Sequence, residues 1–279
     1  LYKQCLNVAY PGLIEEHSET AGNSGKPKII IIGDMHMIPI MQRNIARFIF
    51  QLVRSGADIS TVACETDTGY LYTGGFLKND VAPVKQVEDG IVRRILKGHE
   101  AAVILLEGTI DLLGIEDPKL YITAKHFMDS LNYLSDAFRN FSLFSQMYLG
   151  RDILSRNSMA FTSQENEPIK VMSAILRMMS LEASEEDYTY VLSDKKINTF
   201  ELFCNYYQCT FQDKGYEGNL LQENNLERLF KSAVEFYNTV IKRDQHYIET
   251  LISLGAKVYP SVLIFVVGDL HARKLYLNL

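Results

Sequence analysis

The sequence predicts an α/β protein with a mainly parallel sheet, flanking helices and a large helical insertion, and three observations predict it. Short β-branched runs alternate with Gly-marked turns and amphipathic stretches over residues 27–121 and again over 255–279, the pattern of βαβ units. Two of these runs, "KIIIIG" at 28–33 and "VLIFVVGDLH" at 262–271, begin as continuous apolar segments, as strands covered on both faces do. Residues 122–253 have a different texture, long and polar with Phe, Tyr, Met and Leu and a single proline, Pro168. Their apolar residues recur at three- and four-residue steps in "FMDSLNYLSDAFRNFSLF" and "LERLFKSAVEFYNTVIKRDQHYIETLISL", the spacing of a helix face.

The organisation expected is an N-terminal extension over 1–26, an α/β core formed by 27–121 with 254–279, and a helical insertion over 122–253 packed over the sheet edge. Within the core, 28–33 is the first strand and the amphipathic stretch after it closes on Gly56, a helix-stop signal. "ISTVACE" at 59–65 is the next strand, "KQVEDGIVRRILKG" at 85–98 a helix, and "TIDLLGIED" at 109–117 a further strand left through "DPKLY". "SQENEPIK" and "QDKGYEGN" read as loops between the helices of the insertion.

Composition narrows the function classes. With 279 residues and 47% hydrophobic content the chain can bury a sizeable core. Its formal net charge is -6, with no basic run beyond Arg93-Arg94, so it lacks the electrostatic footprint of a nucleic-acid binder. Cys5, Cys64, Cys204 and Cys209 are too few and too irregular for a disulfide scaffold, and C-x4-C alone is a weak zinc signal. No apolar run reaches the roughly 20 residues that span a bilayer. The first residue is Leu1 rather than Met, which leaves cytoplasmic and exported locations equally open. A small-molecule or peptide substrate is the expected partner; oligomeric state is not legible.

Every expected strand finishes on ionisable residues: Asp34 and His36, Glu65, Glu116 and Asp117, Asp269 and His271. In a parallel sheet these carboxyl ends lie on one edge, where ligands bind. The tetrapeptide G-D-x-H follows an apolar strand twice, ending on His36 and His271, and a paired ending of this kind points to convergence on one site. Arg243 and Asp244 lie late in an amphipathic helix, Asp244 placed to tether the guanidinium. His246 reads as a surface histidine, and His17, His99 and His126 as structural or surface residues. Asp117 before Pro118 also suits a helix cap.

"GDMH", "ACE", "LLGIEDPKLY", "FYNTVIKRDQHYIETLI" and "VVGDLH" together resemble the superfamily of erythromycin esterase-like, TraB/PrgY, Tiki and ChaN haem-binding-lipoprotein domains, over about 150 residues in two blocks. That resemblance implies His36, Glu65, Arg243 and His271 as site residues; the strand ends and the Arg243 helix themselves offer Asp34, Asp244, Asp269 and Glu116 as supporting residues. It implies a parallel sheet whose helical insertion walls the pocket. Members range from esterases that use a His base, through metal-dependent proteases, to haem binders.

The residues themselves support two chemistries for a hydrolase of ester or amide bonds. An imidazole oriented by Asp34 or Glu65 can take a proton from water near neutral pH, with Arg243 stabilising an oxyanion. Alternatively His36, Glu65 and His271 form a first shell for Mn, Co or Zn with an open position for water. A protein that binds haem or another apolar ligand, walled by the aromatic residues of "FELFCNYYQCTF", is the reading from another class, and an inactive member with a partner-binding role is a third.

Overall fold

The computed structural model describes residues 27–35, 38–66, 68–72, 75–77, 82–133, 174–175, 177–181, 183–193 and 224–279. It is an α/β fold with a five-stranded sheet. The strands are β1 (Lys28–Asp34), β2 (Ile59–Cys64), β3 (Thr68–Tyr70), β4 (Asp111–Ile115) and β5 (Val262–Gly268). The helices are α1 (Pro39–Arg54), α2 (Pro83–Val92), α3 (Gly98–Leu105), α4 (Pro118–Tyr133), α5 (Glu185–Ser193), α6 (Asn224–Val258) and α7 (Asp269–Asn278). The order across the sheet is β1-β5-β2-β4-β3. β1, β5, β2 and β4 run parallel, and only the edge strand β3 is antiparallel.

The last strand in sequence is therefore the one inserted between the first two, which explains its composition. Every residue from Val262 to Val267 is buried, because β5 has neighbours on both sides and helices on both faces. Alternation sorts the side chains. Val262, Ile264 and Val266 join Ile32, Val62 and Cys64 against Ile45, Phe48, Ile49 and Leu52 of α1 and Ala102 and Val103 of α3. Leu263, Phe265 and Val267 join Ala63 against Tyr247 and Leu251 of α6 and Leu275 of α7. Each fully buried Leu, Ile or Phe contributes roughly 1.5–3 kcal/mol of transfer free energy.

Helix ends follow local chemistry. After α1 the expected stop at Gly56 is present: Gly56 has φ +83°, and Ala57 N–H donates to Leu52 O at 3.1 Å and Gly56 N–H to Val53 O at 3.0 Å, a Schellman closure. The helix expected over 85–98 ends at Val92, and a second helix begins only at Gly98. Arg94 sits at φ 59° and the same closure recurs, with Ile95 N–H on Gly90 O at 2.8 Å and Arg94 N–H on Ile91 O at 3.0 Å. An arginine in the left-handed region carries no sequence signal of the kind a glycine does, which is why the break was not foreseen. α3 then starts afresh, Lys97 N–H donating to Glu100 Oε2 at 2.6 Å and Gly98 N–H to Gln42 Oε1 at 2.6 Å.

β3 is the strand absent from the sequence reading; three residues with a central glycine give no periodicity to detect. The chain divides into two compact units, Leu1–Pro118 with Arg243–Leu279, and Lys119–Lys242. In the second unit, Arg177 Nε donates to Asp187 Oδ2 at 2.8 Å, and Asp187 caps α5 by exchanging bonds with Ser184 of 2.9 and 3.2 Å. Tyr188 stacks on Tyr237 at 4.9 Å.

Gly98 has no room for a side chain: a Cβ there would lie 2.3 Å from the main-chain oxygen of Gln42 and 2.8 Å from Ile45 Cβ. Gly98→Ala therefore forces α1 and α3 apart and lowers stability by about 1–3 kcal/mol, read as a shifted urea midpoint. Gly75→Ala, where a Cβ meets nothing within 4 Å, serves as the control and leaves the midpoint nearly unchanged.

Candidate functional site

The alternation that builds the two cores also sorts two of the acids at the strand ends. Glu65 follows Ala63 by two residues and so faces α6 and α7, whereas Asp34 follows Ile32 by two and faces α1 and α3. Asp34 Oδ1 accepts from Gln42 Nε2 of α1, and Gln42 Oε1 accepts from Gly98 N–H. Asp34 thus ties β1 to α1 and α3, with Gln42 as the link. His36 lies outside the described residues. Asp269 opens α7.

On the α6/α7 side a buried network forms at the carboxyl ends of β2, β4 and β5. Arg243, 6% exposed, is its centre. Nε donates to Glu116 Oε1 at 3.2 Å and Nη2 to Glu116 Oε2 at 2.5 Å. The same nitrogen reaches Glu65 Oε1 at 2.5 Å and Tyr247 Oη at 2.9 Å. Tyr247, one helical turn on, donates its hydroxyl to Glu116 Oε2 at 2.6 Å. Glu65 spends its second oxygen on the main chain, Oε2 accepting from Gly268 N–H at 2.6 Å, so a carboxylate lies at the N-terminus of α7, where the helix dipole favours it.

The adjacent residue of α6 faces α7. Asp244 Oδ1 accepts from His271 Nδ1 at 2.5 Å. A carboxylate can only accept, so Nδ1 donates the proton, and Nε2 is the nitrogen on which a lone pair is left whenever the ring is neutral. Nε2 is directed to Glu65, 3.8 Å from Oε1, and the Tyr247 ring stands edge-on to the imidazole at 5.5 Å. Lys274 Nζ is 3.3 Å from Asp244 Oδ2.

These contacts set the charges. Burial alone pushes the Glu65 carboxyl up, but His271, Arg243 and the Gly268 N–H outweigh it and hold the group below its ordinary value of 4.5. Burial likewise works against the charge of Arg243, and the bonds to Glu116 together with the surrounding carboxylates overcome it, raising its pKa. The Tyr247 hydroxyl is pushed up, chiefly by burial and then by Glu65, which keeps it a neutral donor.

Of the expected residues, the fold joins Glu65, Glu116, Arg243, Asp244 and His271, all from the first compact unit. Two participants were not foreseen. Tyr247 and Lys274 carry a signal only in hindsight, as residues four after Arg243 and three after His271, the spacings that share a helix face. His246, expected at the surface, is half-buried, and its Nε2 donates to Ile115 O at 3.0 Å.

Among the described residues no group of three or more His, Cys, Asp or Glu is arranged to hold a metal ion. Glu65 and His271 alone fit one poorly. Both Glu65 oxygens already accept N–H groups, one from a guanidinium 2.5 Å away, and a divalent ion there would meet that cation at close range. The stretch 200–211, on which a haem wall would rest, lies outside the described residues, as do Cys5, Cys204 and Cys209. Cys64 is buried, with Sγ 3.0 Å from Thr66 Oγ1.

Removing the central cation strands two buried carboxylates, so Arg243→Leu should cost about 3–5 kcal/mol, measured by urea unfolding at neutral pH. Glu65 gives a pH signature. Its folded-state pKa is depressed, so its stabilisation is complete above the ordinary 4.5 and is lost as pH falls through the folded value. The stability gap between wild type and Glu65→Gln should therefore be widest near neutrality and close progressively below about pH 5.

Compared with models of protein families, with curated proteins and with solved structures, the chain matches none.

Proposed function

We propose that this protein is a hydrolase of ester or amide bonds that activates water on His271 without a metal. The observation that carries the reading is the alignment of Asp244, His271 and Glu65 at the carboxyl edge of a parallel sheet, with Oδ1 on Nδ1 at 2.5 Å and Nε2 facing Oε1 at 3.8 Å. Asp244 fixes the tautomer that leaves Nε2 basic and stabilises the imidazolium that forms when water is deprotonated. The separation of Nε2 and Oε1 suits one water molecule held by both groups. Glu65 then orients the nucleophile, and Arg243 keeps Glu65 ionised and in place while balancing Glu116. His36 enters on the strength of the paired G-D-x-H endings, as second base or substrate contact, and the resemblance to erythromycin esterase-like and TraB domains supports the same reaction class.

The test is turnover of p-nitrophenyl butyrate and an N-acyl p-nitroanilide by the wild type, His271→Ala and Asp244→Asn, each checked for folding by circular dichroism. Loss of the base should lower kcat/KM by at least about 100-fold, and Asp244→Asn should lower it substantially with the fold intact. Activity should survive a chelator. Turnover abolished by chelation and restored by Mn2+, Co2+ or Zn2+ would replace this mechanism with a metal-dependent one. A wild type inert towards every ester and amide would leave the haem-binding and partner-binding readings, separated by titration with haemin.

A further inference from the structure

Asp244 has two carboxylate oxygens and the His271 pair uses one. Its Oδ2 lies in a side chain 2% exposed and has no hydrogen-bond partner, and it forms an ion pair with Lys274 Nζ at 3.3 Å. Lys274 is three residues after His271 in α7, so both project from one face of that helix towards the same acid. Its side chain is 17% exposed, so the ammonium reaches inward from the margin of the protein. A buried carboxylate with one oxygen bonded and the other unopposed is free to rotate about its last torsion and is costly to desolvate; a cation on the second oxygen removes both problems.

We propose that Lys274 is a positioning residue of the hydrolytic site. By holding Asp244 Oδ2 it fixes the plane of the carboxylate, and through Oδ1 the orientation of the His271 ring towards Glu65. The role rests on the hydrolase reading and deepens it. The other charged or titratable groups set against His271 are Glu65 beyond β2 and Asp244 and Tyr247 on α6, while Arg243 reaches Glu65. Arg243 bonds to Glu65 and Glu116 and Tyr247 to Glu116, so the Lys274 contact supplies an Asp244 tether that none of these bonds provides.

The experiment joins kinetics to a stability cycle. Lys274→Met, Lys274→Gln and Lys274→Arg are compared with wild type on p-nitrophenyl butyrate, and the melting temperatures of Lys274→Met, Asp244→Asn and the double variant are measured. The expected result is a drop in kcat of about tenfold for Met and Gln with KM nearly unchanged, as for a misplaced base, and recovery of most of the loss by Arg. The cycle should show Lys274→Met lowering the melting temperature in the wild type but not further in Asp244→Asn. Equal losses in the two backgrounds, or an unchanged kcat in folded Met and Gln variants, would overturn the proposal. An inactive wild type would sink the hydrolase reading and the positioning role together, whereas an active wild type with unaffected Lys274 variants would sink the positioning role alone.

Discussion

The network at the sheet edge depends on one buried cation. Arg243 lies on α6, yet its bonds run to the acids that follow two different strands, Glu65 after β2 and Glu116 after β4. Two carboxylates brought this close repel each other and lose hydration; a guanidinium between them answers both penalties, because its planar fork supplies several donors at once. Lysine, a point charge on a flexible stem, would not span the same acceptors. The consequence reaches past the ion pairs: with Oε1 taken by Arg243, Glu65 turns Oε2 to Gly268 N–H and so registers the start of α7 against the end of β2.

From that registration follows the position of His271. α7 begins directly after β5, and His271 falls in its first turn, where Asp244 can meet it. Consecutive residues of α6 therefore divide the work: Arg243 organises the strand ends and Asp244 the imidazole. The carboxylate facing Nε2 is the one Arg243 holds, so Glu65 links the guanidinium to the imidazole. The ion pairs of Arg243 and the Asp244–His271 pair meet at Glu65.

How much of this was legible in the sequence depends on the period of each signal. Continuous apolar runs gave β1 and β5, and the ionisable endings gave Glu65, Glu116 and His271, because a buried strand must leave the sheet through polar residues. The faces of Glu65 and Asp34 were readable in principle from parity, whereas Glu116, just past the end of β4, shares the parity of Leu112 and still joins Arg243 on the α6 side; Asp34 illustrates the lapse. It shares the G-D-x-H motif with the site, yet its even-numbered position sends it to Gln42 and α1. Tyr247 and Lys274 were illegible because a helix repeats such residues on every face and only the partner element selects one. Arg94 hid a helix break because it occupies a backbone region in which glycine is the usual marker.

The geometry also bears on which of the two hydrolytic chemistries considered for the proposed reading these residues would suit. A metal centre wants carboxylates whose lone pairs are directed into one cavity with no cation already upon them. Glu65 is committed the other way, each oxygen bonded to an N–H and its pKa held down by neighbours that would oppose a second positive charge. Water asks less of it. A neutral molecule can share Oε1 with Arg243, donate to the carboxylate and offer its other proton to Nε2 of His271, with no redistribution of charge before the reaction begins. On the hydrolase reading proposed above, an imidazolium formed when that proton moves would lie between Asp244 and Glu65, the two acids set on either side of the ring. On that reading the two flanking acids suit a charge that appears on the histidine during reaction, which is the requirement of general-base catalysis.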